Sequence, residues 1–101
     1  MDIVLYDAVE TLLESLQPPE LAKVLRTLDL LEEFGPQLGL PHSRHLSDGL
    51  LELRVRGKRE IRIFYCFSNE QAFLLHGFVK KTQKTPEKEL VKARKLKADL
   101  H

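Results

Sequence analysis

Two short runs of alternating apolar residues, Leu51, Leu53, Val55 and then Ile61, Ile63, Tyr65, flank a break at Gly57, Lys58 and Arg59. A side-chain period of two marks a half-buried strand, and a slip of one residue in pairing turns every side chain to the opposite face. Only an odd loop length keeps both runs on one face. A three-residue loop at Gly57, Lys58 and Arg59 sets Val55 against Ile61, Leu53 against Ile63 and Leu51 against Tyr65, whereas a two-residue loop sets Leu53 opposite Arg62. A further connection over residues 68–72, with Phe67 opposite Phe73, extends the same face through Tyr65 with Leu75, Ile63 with Gly77 and Ile61 with Val79. The sequence thus predicts an antiparallel meander with one greasy face.

The same register gives the second face Glu52, Arg54, Arg56, Arg62, Phe64, Cys66, Leu74, His76, Phe78 and Lys80. Arg54 falls opposite Arg62, an arrangement that costs stability unless an acid or an anion lies between the two guanidinium groups. Glu52 and Glu60 offer one answer, as ordinary surface pairs worth under about 1 kcal/mol each. Two acids do not neutralise Arg54, Arg56, Arg62, Lys80 and Lys81 together, however. Guanidinium groups match phosphate oxygens through paired hydrogen bonds, and Phe64, Phe78 and His76 offer flat surfaces for unstacked bases. Basic groups interleaved with rings on an open sheet suit single-stranded nucleic acid.

Charge along the chain supports a polyanionic partner. Residues 54–101 carry thirteen bases against five acids, a net +8, while residues 1–53 carry three against ten, a net −7. The overall +1 therefore conceals two opposed poles. Residues 2–6 read as a short edge strand or as the first turn of the helix that follows. Residues 8–16 read as a short helix with Val9, Leu12, Leu13 and Leu16 on one side, interrupted by Pro18 and Pro19. Over residues 19–34, Leu21, Val24, Leu25, Leu28, Leu31 and Phe34 recur at helical spacing, and Gly35 and Pro36 end that helix. Residues 35–49 read as loop. A last helix over residues 86–100 is expected to have Thr85 as N-cap and Pro86 in its first turn, with Glu87 and Glu89 where the helix dipole favours acids. Leu90, Ala93, Leu96 and Leu100 form its apolar stripe, and its lysines make a solvated face.

At 101 residues the chain is read as one domain, spanning 1–101, with a single modest core. It carries no apolar run of membrane-spanning length and begins with acids where a signal peptide has bases, so a cytoplasmic protein is expected. Cys66, the one cysteine, reads as an inert strand residue. His42 and His45 have a spacing compatible with a metal, but without cysteines or an acid cluster beside them no metal site and no cofactor are expected. His76 is open to three readings: proton donor, stacking ring or packed residue. His101 is expected to be disordered. Gly-rich phosphate loops, nucleophile elbows and metal-binding acid motifs do not occur in the sequence.

The order DGLLELRVRGKREIRIFYCF followed by LLHGFVKKTQKTPEKEL, after two helices, resembles the phage-derived HigB-like branch of the RelE/ParE toxin superfamily, from about Leu21 onward. The resemblance implies an α+β fold in which two N-terminal helices pack on a twisted antiparallel β-sheet and a basic helix follows at the C-terminus. It implies the toxin of a type II toxin–antitoxin system, acting with the ribosome on messenger RNA as a metal-independent endoribonuclease, and a cognate antitoxin of helix-turn-helix type. Arg62 matches the strand arginine that holds the scissile phosphate, Arg54 a basic strand residue, and Lys81 the basic residue that stabilises the transition state. Lys80, Lys84 and His76 are candidates for the acid and base. Arg56, Lys58, Arg59, Phe64, Phe78 and Gln83 are candidate RNA contacts. The terminal tyrosine of RelE-type enzymes has no counterpart near Glu87, and Glu52 stands in place of a base. Two alternatives remain open: a ParE-like inhibitor of DNA gyrase, and an inactive module that only binds the antitoxin.

Overall fold

The computed structural model describes residues 1–100, so the expectation for His101 lies outside the described residues. Strands β3 (Leu51–Val55) and β4 (Glu60–Ser68) pair in the register that the apolar alternation requires: Leu51 with Tyr65, Leu53 with Ile63 and Val55 with Ile61. β4 then pairs with β5 (Gln71–Lys80), where Ile61 faces Val79 and Ile63 faces Gly77, again as the pattern predicts.

Beyond that point the structure departs from the expected register. Phe64 pairs with His76 but Tyr65 pairs with Leu74, so Leu75 is an extra residue, a β-bulge. Phe67 consequently faces Ala72 rather than Phe73, and the connection is a tight two-residue turn rather than a loop over 68–72. Asn69 and Glu70 both adopt left-handed φ, 51° and 61°, which matches the twist of the flanking strands. The bulge inverts the facing of the N-terminal part of β5. Leu74 therefore lies in the core that was assigned to its neighbours, while Phe73 and Leu75 go to the opposite face.

Two edge strands complete the sheet, whose order is β1-β5-β4-β3-β2. β2 (Ser43–His45), read from sequence as loop, pairs antiparallel with β3. β1 (Asp2–Leu5) settles the ambiguity at the N-terminus in favour of a strand, and it runs parallel to β5. The sheet is accordingly mixed, with one parallel pair added to the antiparallel meander.

Helix α1 (Asp7–Ser15) and helix α2 (Pro18–Phe34) cover one face of the sheet. Pro18 and Pro19 occupy the first turn of α2, where a missing amide donor costs nothing, and Gly35 at φ 53° ends the helix. Val9, Leu12, Val24, Leu28 and Leu31 meet Leu53, Ile61, Ile63, Tyr65 and Leu74 in this core. The Tyr65 hydroxyl is satisfied there by Ser43. Helix α3 (Glu87–Ala98) covers the other face, where Leu90, Ala93, Leu96 and Leu100 pack on Leu50, Phe64, Cys66, Leu75 and Phe78. Its N-cap is Pro86 and not Thr85, one residue later than expected, because Pro86 takes an extended ψ of 132° and stays outside the helix. No helix among the described residues is long and apolar enough to cross a membrane.

Gly77 sets how closely α1 approaches the sheet. A Cβ at this position would lie 2.7 Å from Leu12 Cδ2 and 3.2 Å from Ile63 Cγ1, inside any tolerable contact. Gly77→Ala is expected to destabilise the protein by about 1–3 kcal/mol through overpacking, seen as a lower urea midpoint at unchanged slope. Gly39→Ala, which meets no atom within 4 Å, is the control expected to leave the midpoint in place.

Candidate functional site

The β3 and β4 ladders bring Arg54 and Arg62 directly opposite one another, and the next rung on β5 is Phe78. Both arginines are drawn toward the same carboxylate. Glu52 places Oε1 3.9 Å from Arg54 Nε and Oε2 3.9 Å from Arg62 Nε, while Glu60 Oε2 lies 3.6 Å from Arg62 Nη2. The acids predicted to relieve the arginine pair are therefore present. All three separations nevertheless exceed hydrogen-bonding distance. Arg54 Nε and Arg62 Nε and Nη1 have no hydrogen-bond acceptor among the described residues, although Arg62 is only 4% exposed.

Buried guanidinium donors are almost always satisfied, and a carboxylate at ion-pair distance offsets charge without filling directional N–H valences. The cluster is thus electrostatically near balance, but its groups do not meet: Glu60 Oε2 is likewise buried without a hydrogen-bond donor, and three guanidinium N–H sites stay unfilled. An oxyanion with several oxygens, such as a phosphodiester, has the geometry to fill them. Glu52, 5% exposed, holds the two positive charges in place meanwhile.

The remaining candidates divide by location. Lys80 is two residues beyond Phe78 and pairs across the strands with Glu60, so it shares the end of the sheet with Arg54 and Arg62. Its ammonium donates to the Gln83 carbonyl at 2.8 Å, and Thr82 Oγ1 donates to the Lys84 carbonyl at 2.6 Å. These two bonds shape the segment after β5 and leave Lys81, Gln83 and Lys84 on its exposed surface. His76 is nearly buried, with Nε2 3.2 Å from Glu89 Oε1 on α3 and its ring stacked on Phe78. This favours the packed reading: the imidazole ties the sheet to α3.

The aromatic platform is corrected. Phe64 is fully buried and Phe78 nearly so, packed against each other with centroids 5.6 Å apart beneath α3. Neither ring presents a free face to a base. The second face of the sheet is not open, because the apolar stripe of α3 covers its middle. Cys66 is buried in the same layer, and burial pushes its thiol pKa up, with Lys97 opposing, which fits an unreactive role. His42 and His45 are not joined by a third metal-ligating residue among the described residues.

Arg56, Lys58 and Arg59 all lie at the β3–β4 hairpin tip and are exposed. Arg59 folds toward α2, where Nε and Nη2 each donate to Glu20 at 2.7 Å. This bidentate bond, aided by the Gln17 amide, holds the Glu20 carboxyl at about 2, against an ordinary 4.5. Sequence reasoning placed Arg59 with the RNA contacts and did not anticipate Glu20. It also missed Lys23, whose ammonium reaches the hairpin at Gly57. The available signal was that Lys23 is one of only three bases in the acidic first half of the chain.

Removing the shared acid by Glu52→Gln leaves Arg54 without a carboxylate and Arg62 with Glu60 alone, and is expected to cost about 3 kcal/mol in a denaturant titration at low salt. The Glu20 carboxyl, followed by NMR, is expected to titrate near 2 in the native protein and to rise toward 4.5 in Arg59→Gln. Because the folded-state value is the depressed one, the pair's contribution to stability is complete above about pH 4.5 and is lost as pH falls toward 2.

Residues 11–98 match the model of the family described as Phage derived protein Gp49-like (DUF891). No curated protein matches the chain.

Proposed function

Since the chain belongs to the phage-derived Gp49-like family, which falls in the RelE toxin-like group, we propose that it is the toxin of a type II toxin–antitoxin system, of the HigB-like branch, and that it cuts messenger RNA on the ribosome. The observation that carries this reading is the Arg54–Arg62 pair, buried beside Glu52 with guanidinium donors lacking acceptors. A protein interface has no need of such a pair, which favours an RNA substrate over gyrase as target.

In the proposed reaction, the 2′-hydroxyl oxygen attacks the adjacent phosphorus and the 5′-oxygen of the next nucleotide leaves. The products are a 2′,3′-cyclic phosphate and a 5′-hydroxyl, and no metal is invoked. Arg62 and Arg54 hold the non-bridging oxygens and offset the charge that accumulates on them, a fixed-dipole contribution that reaches several kcal/mol in a dry site. Lys81, exposed at the same end of the sheet, completes the cationic cradle. One proton must leave the 2′-hydroxyl and one must reach the 5′-oxygen. Lys80 and His76 are each engaged by a neighbour, so of the proposed proton carriers Lys84 is the one on the exposed surface of the segment. The acidic outer surface of α1 and of the C-terminal half of α2 repels free RNA, consistent with dependence on the ribosome to deliver substrate. The partner in the resting complex is an antitoxin, of helix-turn-helix type.

Primer-extension mapping in a purified translation reaction tests the proposal. Wild type is expected to cut messenger RNA only when ribosomes are present, and Lys81→Ala and Arg54→Gln are each expected to slow cutting by about 100-fold. Intact messenger RNA in that reaction, together with growth arrest in cells, would overturn the nuclease reading in favour of the gyrase-type one.

A further inference from the structure

A second basic site lies on the opposite side of the β3–β4 hairpin from Arg54 and Arg62. The underside of the hairpin tip and the turn between α1 and α2 enclose a half-open cleft of about 650 Å³. Its floor is apolar, with Val55, Ile61 and Pro19, and its rim carries Lys23, Arg56, Lys58 and Arg59. Glu20 is the one acid that lines it, and both of its oxygens are taken by Arg59. Three cations therefore border the cleft in excess of its negative charge.

The Lys23 ammonium lies against the hairpin at Gly57. A Cβ on Gly57 would lie 3.1 Å from Lys23 Nζ, so the absent side chain leaves the space in which the ammonium rests. Like charges converging on a concave surface repel one another, and the repulsion is relieved by a bound polyanion. No aromatic ring lines the cleft, which argues against base stacking and for recognition of a phosphate backbone without regard to sequence.

We propose that the cleft between the β3–β4 hairpin and the N-terminal half of α2 binds the phosphate backbone of folded RNA, with Lys23, Arg56 and Lys58 as the contacting residues. It extends the RNA reading given above and adds a contact that positions the protein without touching the scissile bond. The hairpin then works as a ridge between two phosphate sites, one on each face.

Fluorescence anisotropy with a labelled RNA hairpin, read across a salt series, tests this independently of cleavage. Each of Lys23→Gln and Lys58→Gln is expected to weaken binding several-fold and to reduce the slope of log K against log salt by about 1. Lys95→Gln, which removes one charge from the exposed surface of α3, is expected to leave binding unchanged. Unaltered binding in the Lys23 and Lys58 variants, or an equal loss in Lys95→Gln, would overturn the proposal while leaving the nuclease reading intact. So would displacement of a bound polyglutamate peptide, but not of RNA, by the same substitutions, since that assigns the cleft to an acidic protein segment.

Discussion

One extra residue in β5 decides how the whole chain is layered. The bulge at Leu75 lets consecutive residues, Leu75 and His76, face the same way, so the alternation of β5 changes phase there and each helix layer draws residues from both sides of the bulge. Leu74 and Ala72 close the core under α1 and α2, while Leu75 and Phe73 join Phe64 and Phe78 under α3. Burial on both faces in turn fixes α3 against the sheet.

The sheet also separates charge. Acids crowd the outer surface of α1 and α2, and bases crowd α3 and the hairpin, so the two poles visible in the sequence become two sides of one sheet. Lys23 and Arg26 are bases on the acidic side, and Lys23 is directed toward the hairpin rather than away from it. Glu52 is its mirror image, an acid inside the basic face that keeps Arg54 and Arg62 from repelling one another. Lys23 and Glu52 thus each mark a place where the local field is tuned rather than merely accumulated.

Legibility in the sequence followed the strength of each local constraint. Between β3 and β4 a one-residue slip would have turned Arg62 into the apolar core under α1 and α2, so the register and the Arg54–Arg62 apposition were readable. Between β4 and β5 the run Ala72, Phe73, Leu74, Leu75 is apolar in either register, and hydrophobicity carries no information about a bulge within it. β2 was unreadable because Ser43, Arg44 and His45 have little strand preference, and pairing with β3 decides their state. The apolar stripe of α3 was evident, but a stripe does not name the surface it covers. Phe64 and Phe78 were accordingly read as exposed stacking rings when they are the floor on which that helix rests. Glu20 and Arg59 are far apart in the chain, and only the closure of α2 over the hairpin brings them together.

The parallel edge strand bears on the order in which the molecule can assemble. Asp2 to Leu5 pair with Gln71 to Leu74, so the first strand to be synthesised must wait for most of the chain before it has a partner. The β3–β4–β5 meander closes through short turns and can form early, whereas β1 docks only after the longest loop in the fold has been closed. Until then α1 has no strand to anchor its start, and the core it covers stays open. A chain growing from the ribosome therefore cannot seat β1 until Gln71–Leu74 has emerged.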